Sequence, residues 1–275
     1  MAESASSVKR IMADTMTTGE LAAHRRRNGI VLLPVGCHEM HGTQIGLGCD
    51  TFEAEAACRV LAPEWDAVVL PPIAYTFGGA TGPWPGTVSL HPRETMDYVS
   101  AVVRAILRNG FRRVVLISIH GPSRSYLAMV LRGVFEETGE LPIQFHPQWG
   151  EFNRLVREEF GEGQASTASH LATLYICGRH GEFDPAVIGD ETAPRTVPLD
   201  SLVTLEKHDV HAPYRYLRPE DHVGRKPGLT LDDAPRLAEQ FRQAVLTRAA
   251  GLPEDYERYQ REMQQAIAGA PWDQV

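Results

Sequence analysis

The sequence predicts an α/β fold, a mostly parallel sheet flanked by helices on both faces, and three observations carry that prediction. Short apolar runs alternate with longer segments of helical, 3.6-residue periodicity. The runs Ile30–Val35 and Arg112–Ile119 are almost continuously apolar in their cores, as strands buried on both faces are. A helical segment separates each run from the next, so successive strands are joined by crossovers and run parallel.

The elements follow in order. Thr17–Asn28 (TTGELAAHRRRN) reads as a surface helix ending at Asn28-Gly29, before the first strand, Ile30–Val35. Asp50 is expected to cap a helix from Thr51 to about Leu61, which places Phe52, Ala56 and Val60 on one side. Ala67–Leu70 is a second strand, stopped by Pro71-Pro72. Phe77–Pro92 (FGGATGPWPGTVSLHP) is a long loop of a kind that tends to be functional. The helix Arg93–Asn109 ends at Gly110, the third strand follows, and another helix begins near Ser123. Leu141–Phe145 is a fourth strand and Trp149–Phe160 a helix. From Gly161 to Gly228 the pattern weakens, and Asp232–Ala249 and Pro253–Ala268 close the chain as helices.

Composition narrows the function classes. Of 275 residues, 43% are hydrophobic and 23% charged, an ordinary globular balance. With no internal repeat, low-complexity tract or linker, a single domain over residues 1–275 is expected. A net charge of −8 and a pI near 5.8 argue against nucleic acid or an anionic membrane as partner. The basic triplet Arg25-Arg26-Arg27 is too short for a polybasic tract and reads as a solvated face. Cys37, Cys49, Cys58 and Cys177 show neither C-x-x-C spacing nor a disulfide framework, which suits a reducing compartment. The N-terminal stretch has no apolar signal region, and no run approaches a membrane span. A cytoplasmic location is expected.

In open α/β sheets ligands bind beyond the carboxyl ends of the strands. Two polar clusters fall there: Gly36 to Asp50 after the first strand, and His120 to Ser125 after the third. Glu39 and His41 lie two apart, so their side chains point the same way in an extended segment. Asp50 follows a glycine-containing turn that can bring it back towards them. Mixed carboxylate and imidazole donors suit a borderline divalent ion such as Zn²⁺ or Mn²⁺. No G-x-S-x-G elbow, phosphate loop or dinucleotide fingerprint competes with this set.

Several blocks in order resemble the creatininase (creatinine amidohydrolase) family. They are Leu33-Pro34-Val35-Gly36 with Glu39 and His41-Gly42, Asp50-Thr51, Pro71-Pro72, and Pro85-Gly86-Thr87-Val88-Ser89-Leu90. Gly110 to Leu116 and His120-Gly121 complete the series, which covers roughly residues 17 to 140. The resemblance implies a three-layer α/β/α sandwich, a binuclear site and assembly as a homo-oligomer, often a hexamer. It implies two divalent ions per chain, Zn²⁺ first, with Mn²⁺ or Fe²⁺ as alternatives. Glu39 and His41 would each ligate one ion, Asp50 would bridge them, and His120 would join the ion held by Glu39.

The chain also departs from the family pattern. No glutamate stands two residues after His120, where the sequence reads Gly121-Pro122-Ser123. Ala165 falls where relatives carry a histidine suited to proton transfer, and His170 where many carry a glutamate. His170 is therefore expected as a fifth ligand, and His38 and His170 are the candidate proton donors. Trp149, Trp84 and Ser123 are expected to contact substrate. Cys37 and Cys49, flanking the ligands, are expected as small buried apolar residues rather than thiolate donors.

The function expected is hydrolysis of a non-peptide C–N amide bond in a small molecule, such as a cyclic amide or formamide, by a metal-activated water. Two alternatives stay open at this point: a member whose altered site serves binding or assembly, and one that runs the reaction towards ring closure.

Overall fold

A computed structural model describes residues 10–41, 45–147, 149–161, 165–182, 208 and 229–269. Among these, four parallel strands form a sheet in the order β2-β1-β3-β4, where β1 is Ile30–Pro34, β2 Val68–Val69, β3 Arg113–Ile117 and β4 Ile143–Phe145. The described helices, in chain order, are α1 Thr18–Arg27, α2 Cys49–Glu64, α3 Pro92–Arg108 and α4 Ser123–Thr138. They continue as α5 Gly150–Phe160, α6 Ala165–Ile176, α7 Ala234–Arg248 and α8 Leu252–Ala268.

The side-chain period of two along each strand divides the interior into two cores. Ile30 and Leu32 of β1 and Val115 and Ile117 of β3 face one side, among α2, α5, α6 and α7. Val31 and Leu33 of β1 and Val114 and Leu116 of β3 face the other, against α3 and α4. This is the three-layer α/β/α sandwich. All of β1 is buried, which explains why its sequence shows no polar alternation. Each fully buried aliphatic side chain here contributes roughly 1.5–3 kcal/mol relative to exposure.

Helix starts follow local chemistry. The hydroxyl of Thr17 accepts the Glu20 N–H at 3.3 Å while the Glu20 carboxylate accepts the Thr17 N–H at 2.8 Å, a capping box before α1. His91 and Glu94 do the same for α3, with Pro92 in its first turn. Asp50 does not cap α2 as expected: the helix begins two residues earlier than Thr51, at Cys49, and Asp50 lies inside its first turn. Its side chain is thereby released from the helix backbone and turned towards the imidazoles described below.

The weakly patterned segment after Gly161 contains a clear helix, α6, whose Thr167 to Leu174 are all buried against α2 and α7. Its sequence shows little amphipathic period because most of its residues are apolar or small, as in a helix largely enclosed in a core. The rest of that segment, apart from residues 165–182 and 208, lies outside the described residues.

Candidate metal centre

β1 and β3 are neighbours at the middle of the sheet, and the chain leaves them in opposite directions, to β2 on one side and β4 on the other. Such a reversal of strand order opens a crevice at the carboxyl ends. Glu39 and His41 leave the end of β1, His120 leaves the end of β3, and the first turn of α2 delivers Asp50.

Two groups of donor atoms result, each with its atoms within 4.8 Å of one another: Glu39, His41 and Asp50, and Cys37, Asp50 and His120. Asp50 belongs to both. His41 Nε2 stands 3.6 Å from Asp50 Oδ2 and 3.8 Å from Glu39 Oε1, and His120 Nε2 stands 3.3 Å from Glu39 Oε1. These are distances for electrostatic attraction without hydrogen-bond alignment. Asp50 Oδ2 and both ring nitrogens of His120 are buried with no hydrogen-bond partner among the described residues. Buried polar atoms are seldom left so, and a shared divalent ion would satisfy them. The carboxylate and imidazole donors present suit Zn²⁺ or Mn²⁺.

Threonines hold the frame. Thr76 Oγ1 donates to Gly36 O at 2.7 Å, Thr51 Oγ1 donates to Cys37 O at 3.2 Å, and Thr81 Oγ1 donates to Glu39 Oε2. The peptide N–H of Gly36 also donates to Ile73 O at 2.8 Å, extending the sheet to the edge of the site. The first ligand segment is thus pinned from α2, from the segment after β2 that holds Ile73 and Thr76, and from the long loop.

Charge is concentrated and balanced. Burial pulls the His41 imidazole down, but the carboxylates of Asp50 and Glu39 overcome it and lift it to about 9. Burial opposes ionisation of Asp50, yet His41 and His120 hold it below the usual carboxylate range. His120 is likewise raised: burial opposes its charge, but Asp50 and Glu39 prevail. Burial pushes the Cys37 thiol up to about 12, with Glu39 and Asp50 adding to the effect.

The remaining expected residues are placed differently. His170, in α6, is buried, and its Nε2 accepts the Gly46 N–H at 3.2 Å. Burial, followed by the His41 charge, pulls its imidazole down to about 4. It belongs to neither donor group, and a ring held neutral near pH 7 with Nε2 already engaged is a poor proton donor. His38 is half-buried, with its ring 5.8 Å from that of the exposed Tyr75. Ser123, expected to contact substrate, is wholly buried and its hydroxyl donates to His120 O at 2.6 Å, holding the turn that presents the imidazole. Trp149 is another residue expected to contact substrate. It is only 5% exposed, packed in the core with its ring 4.8 Å from that of Phe241 in α7. Trp84, in the long loop, is half-buried.

Other polar residues enter the site unforeseen. Cys37 is buried as expected, and its Sγ also lies within 4.8 Å of ligand atoms of Asp50 and His120. Thr81 fixes Glu39. His146 follows β4, and its imidazole is lowered by burial and then by the neighbouring charges of Arg124 and His120. A search for polar residues just beyond every strand would have found it. Glu53, one helical turn after Asp50, is buried and accepts a hydrogen bond from the Ser169 hydroxyl. Its i,i+3 spacing from Asp50 was the available signal.

Burial pushes the Glu53 carboxyl up to about 7; the Ser169 hydrogen bond opposes this and the Asp50 charge adds to it. A raised folded-state value means that stability is fully present below the ordinary value of 4.5 and is lost as pH rises through about 7. Glu53→Gln keeps the acceptor and removes the charge. In metal-free protein it is expected to stabilise by on the order of 2–3 kcal/mol at pH 8, with no gain at pH 4.5, in urea unfolding at the two pH values.

Residues 14–172, more than half of the chain, match the family model for creatininase, described as creatinine amidohydrolase. Creatinine amidohydrolase of Pseudomonas putida is 31% identical over 96 residues, 33% of this chain and 37% of that protein. The mycofactocin precursor peptide peptidase of Mycolicibacterium smegmatis is 40% identical over 67 residues, 22% of this chain and 27% of that protein. The matched stretches thus span little more than a third of those relatives, or less. Among solved structures, a creatininase of Zn–Zn type superposes with a TM-score of 0.64 at 19% identity, covering 88% of this chain and 97% of that one. A creatininase structure described as Mn gives 0.63 at 19% identity, covering 91% and 99%.

Proposed function

Because this chain belongs to the creatininase family, we propose that it is a hydrolase that cleaves a C–N amide bond of a small substrate, using water activated by divalent ions. The observation that carries this reading is Asp50, a single buried carboxylate common to two donor groups at the carboxyl ends of adjacent strands. That is the arrangement a two-ion hydrolase requires of a bridging ligand. The related structures of Zn–Zn type and of the Mn form support Zn²⁺ or Mn²⁺, and the first supports two ions. The relatives' names, an amidohydrolase and a peptidase, share hydrolysis of a C–N bond.

Bound divalent ions supply Lewis acidity and bring the pKa of a water molecule near neutrality. Glu39, His41, Asp50 and His120 would hold them. Thr81 keeps one oxygen of Glu39 occupied and so presents the other, Oε1, to the site. Ser123 fixes the carbonyl of His120 and with it the ring's direction. A departing nitrogen needs a proton, and His38 is the residue we assign to it. It adjoins Glu39 in the chain and is half-buried, whereas His170 is enclosed and engaged by Gly46.

The test is turnover of a panel of cyclic amides and formamides by protein loaded with Zn²⁺ or Mn²⁺. Hydrolysis is expected, falling to background after chelation and returning with either ion. Loaded protein that leaves the whole panel intact, or activity that survives complete loss of metal, would overturn the proposal.

A further inference from the structure

We infer that the substrate is an anion, a small amide bearing a carboxylate, and that Arg124 and His146 seat that carboxylate beside the metal centre. The inference rests on the hydrolase reading above and narrows its substrate. β4 runs parallel to β3 with Ile117 paired to Phe145, and the Ser118 N–H donates to Phe145 O at 3.2 Å, so His146 stands alongside Ser118, two residues short of His120. Side chains alternate along a strand, which puts His146 on the same face as Gln144. Gln144 identifies that face, because its Nε2 donates to Arg124 O at 3.2 Å in the first turn of α4. Arg124 and His146 therefore converge at the carboxyl end of β4, one strand spacing of about 4.8 Å from the strand that delivers His120.

This corner is lined by polar atoms with nothing to bind. Ser118 Oγ, Gln144 Oε1 and His146 Nδ1 are buried with no hydrogen-bond partner among the described residues. Ser118 is only 1% exposed and, two residues after Leu116, faces α4 as Leu116 does. Atoms so enclosed are seldom left unsatisfied unless a ligand completes them. The guanidinium says what charge that ligand has. Arg124 is exposed, and no carboxylate pairs with it among the described residues. It stands at the amino end of α4, whose first turn holds no acidic residue, where the helix dipole favours an anion over a cation. A bound anion offsets both the unpaired charge and the dipole. The guanidinium fork fits the two oxygens of a carboxylate, and an imidazole N–H adds a further donor. Burial pulls the His146 imidazole down, and the charges of Arg124 and His120 add to this, so the ring lies within electrostatic reach of the guanidinium and of a metal ligand together.

Matched pairs of amides test this on the full-length, zinc-loaded protein: N-formylglycine against N-formylglycinamide, and pyroglutamate against pyroglutamamide. The carboxylate member of each pair is expected to be cleaved with a kcat/KM about 10–100-fold higher. Arg124→Gln and His146→Gln should each shrink that preference, chiefly through KM. Arg124→Lys should restore part of it, because lysine keeps the charge and loses the fork. Arg124 is exposed, so its variants are expected to fold. A readout that needs neither metal nor turnover is NMR of the His146 ring in metal-free protein, which N-formylglycine should shift and N-formylglycinamide should not. Equal turnover within each pair, cleavage confined to neutral amides, a preference that survives Arg124→Gln, or a His146 signal blind to the carboxylate overturns the inference and leaves the hydrolase reading standing. Loaded protein that cleaves no amide of either charge, across these pairs and the wider panel, overturns both.

Discussion

Asp50→Asn is expected to lower hydrolytic turnover by about 10³-fold or more and to reduce the metal bound per chain. The basis is that Asp50 is common to both donor groups, so one substitution weakens two ion positions at once. The amide has nearly the shape of the carboxylate but no charge, and a neutral oxygen is a poor bridge between cations. Lewis-acid stabilisation is worth several kcal/mol, and about 1.4 kcal/mol corresponds to each factor of ten. Without metal the substitution also removes the anion that His41 and His120 share. The His41 imidazole should then titrate well below its value of about 9 in the parent protein, observable by NMR of the metal-free variant. Metal analysis and turnover measured on the same folded preparation check the main prediction; two ions retained with normal turnover would remove Asp50 from the centre of the mechanism.

Gly36→Ala should be the most disruptive alanine substitution among the described glycines. A β-carbon at Gly36 would meet the Thr51 backbone nitrogen at 2.6 Å, with the Thr51 Cα and hydroxyl closer still. Backbone atoms in the first turn of a buried helix cannot rotate away as a side chain can, so the end of β1 and the start of α2 must separate. Overpacking a rigid core costs about 1–3 kcal/mol and occasionally more, and this site is at the upper end. We expect about 3 kcal/mol of lost stability, a fall in Tm of roughly 6–12 °C. Because the displaced segments carry Glu39, His41 and Asp50, turnover should fall by about 10²-fold even in the fraction that folds, as displacements near 1 Å do. A calorimetric scan and single-temperature kinetics check the two halves; an unchanged Tm would refute the packing argument.

The sheet was legible because β1 and β3 are apolar throughout and separated by helical periodicity. The Glu39, His41, Asp50 and His120 quartet was legible for a related reason: each residue lies at or just beyond the end of an element that sequence pattern alone could place. What stayed hidden depended on chain segments distant in sequence. Trp149 sits between a strand and a helix and suits a pocket or a core equally well; Phe241, against which its ring packs, comes from α7. Thr81 is one of several polar residues in the long loop, and nothing local marks it as the partner of Glu39. Glu53 gains its meaning from Ser169 on α6, a helix whose mostly apolar or small residues concealed its period.

The threonine hydrogen bonds to Gly36, Cys37 and Glu39 bear on how an ion would arrive. Each is made within the polypeptide and needs no metal to form. The cradle is therefore preorganised: its conformational entropy is surrendered when the chain folds, not when the ion binds. Ion binding is therefore expected to carry little ordering cost, and the metal-free protein is expected to stay folded. Loading then raises its stability by mass action alone, in proportion to the logarithm of free ion over Kd. In this respect the chain is the opposite of a zinc finger, in which the metal assembles the fold.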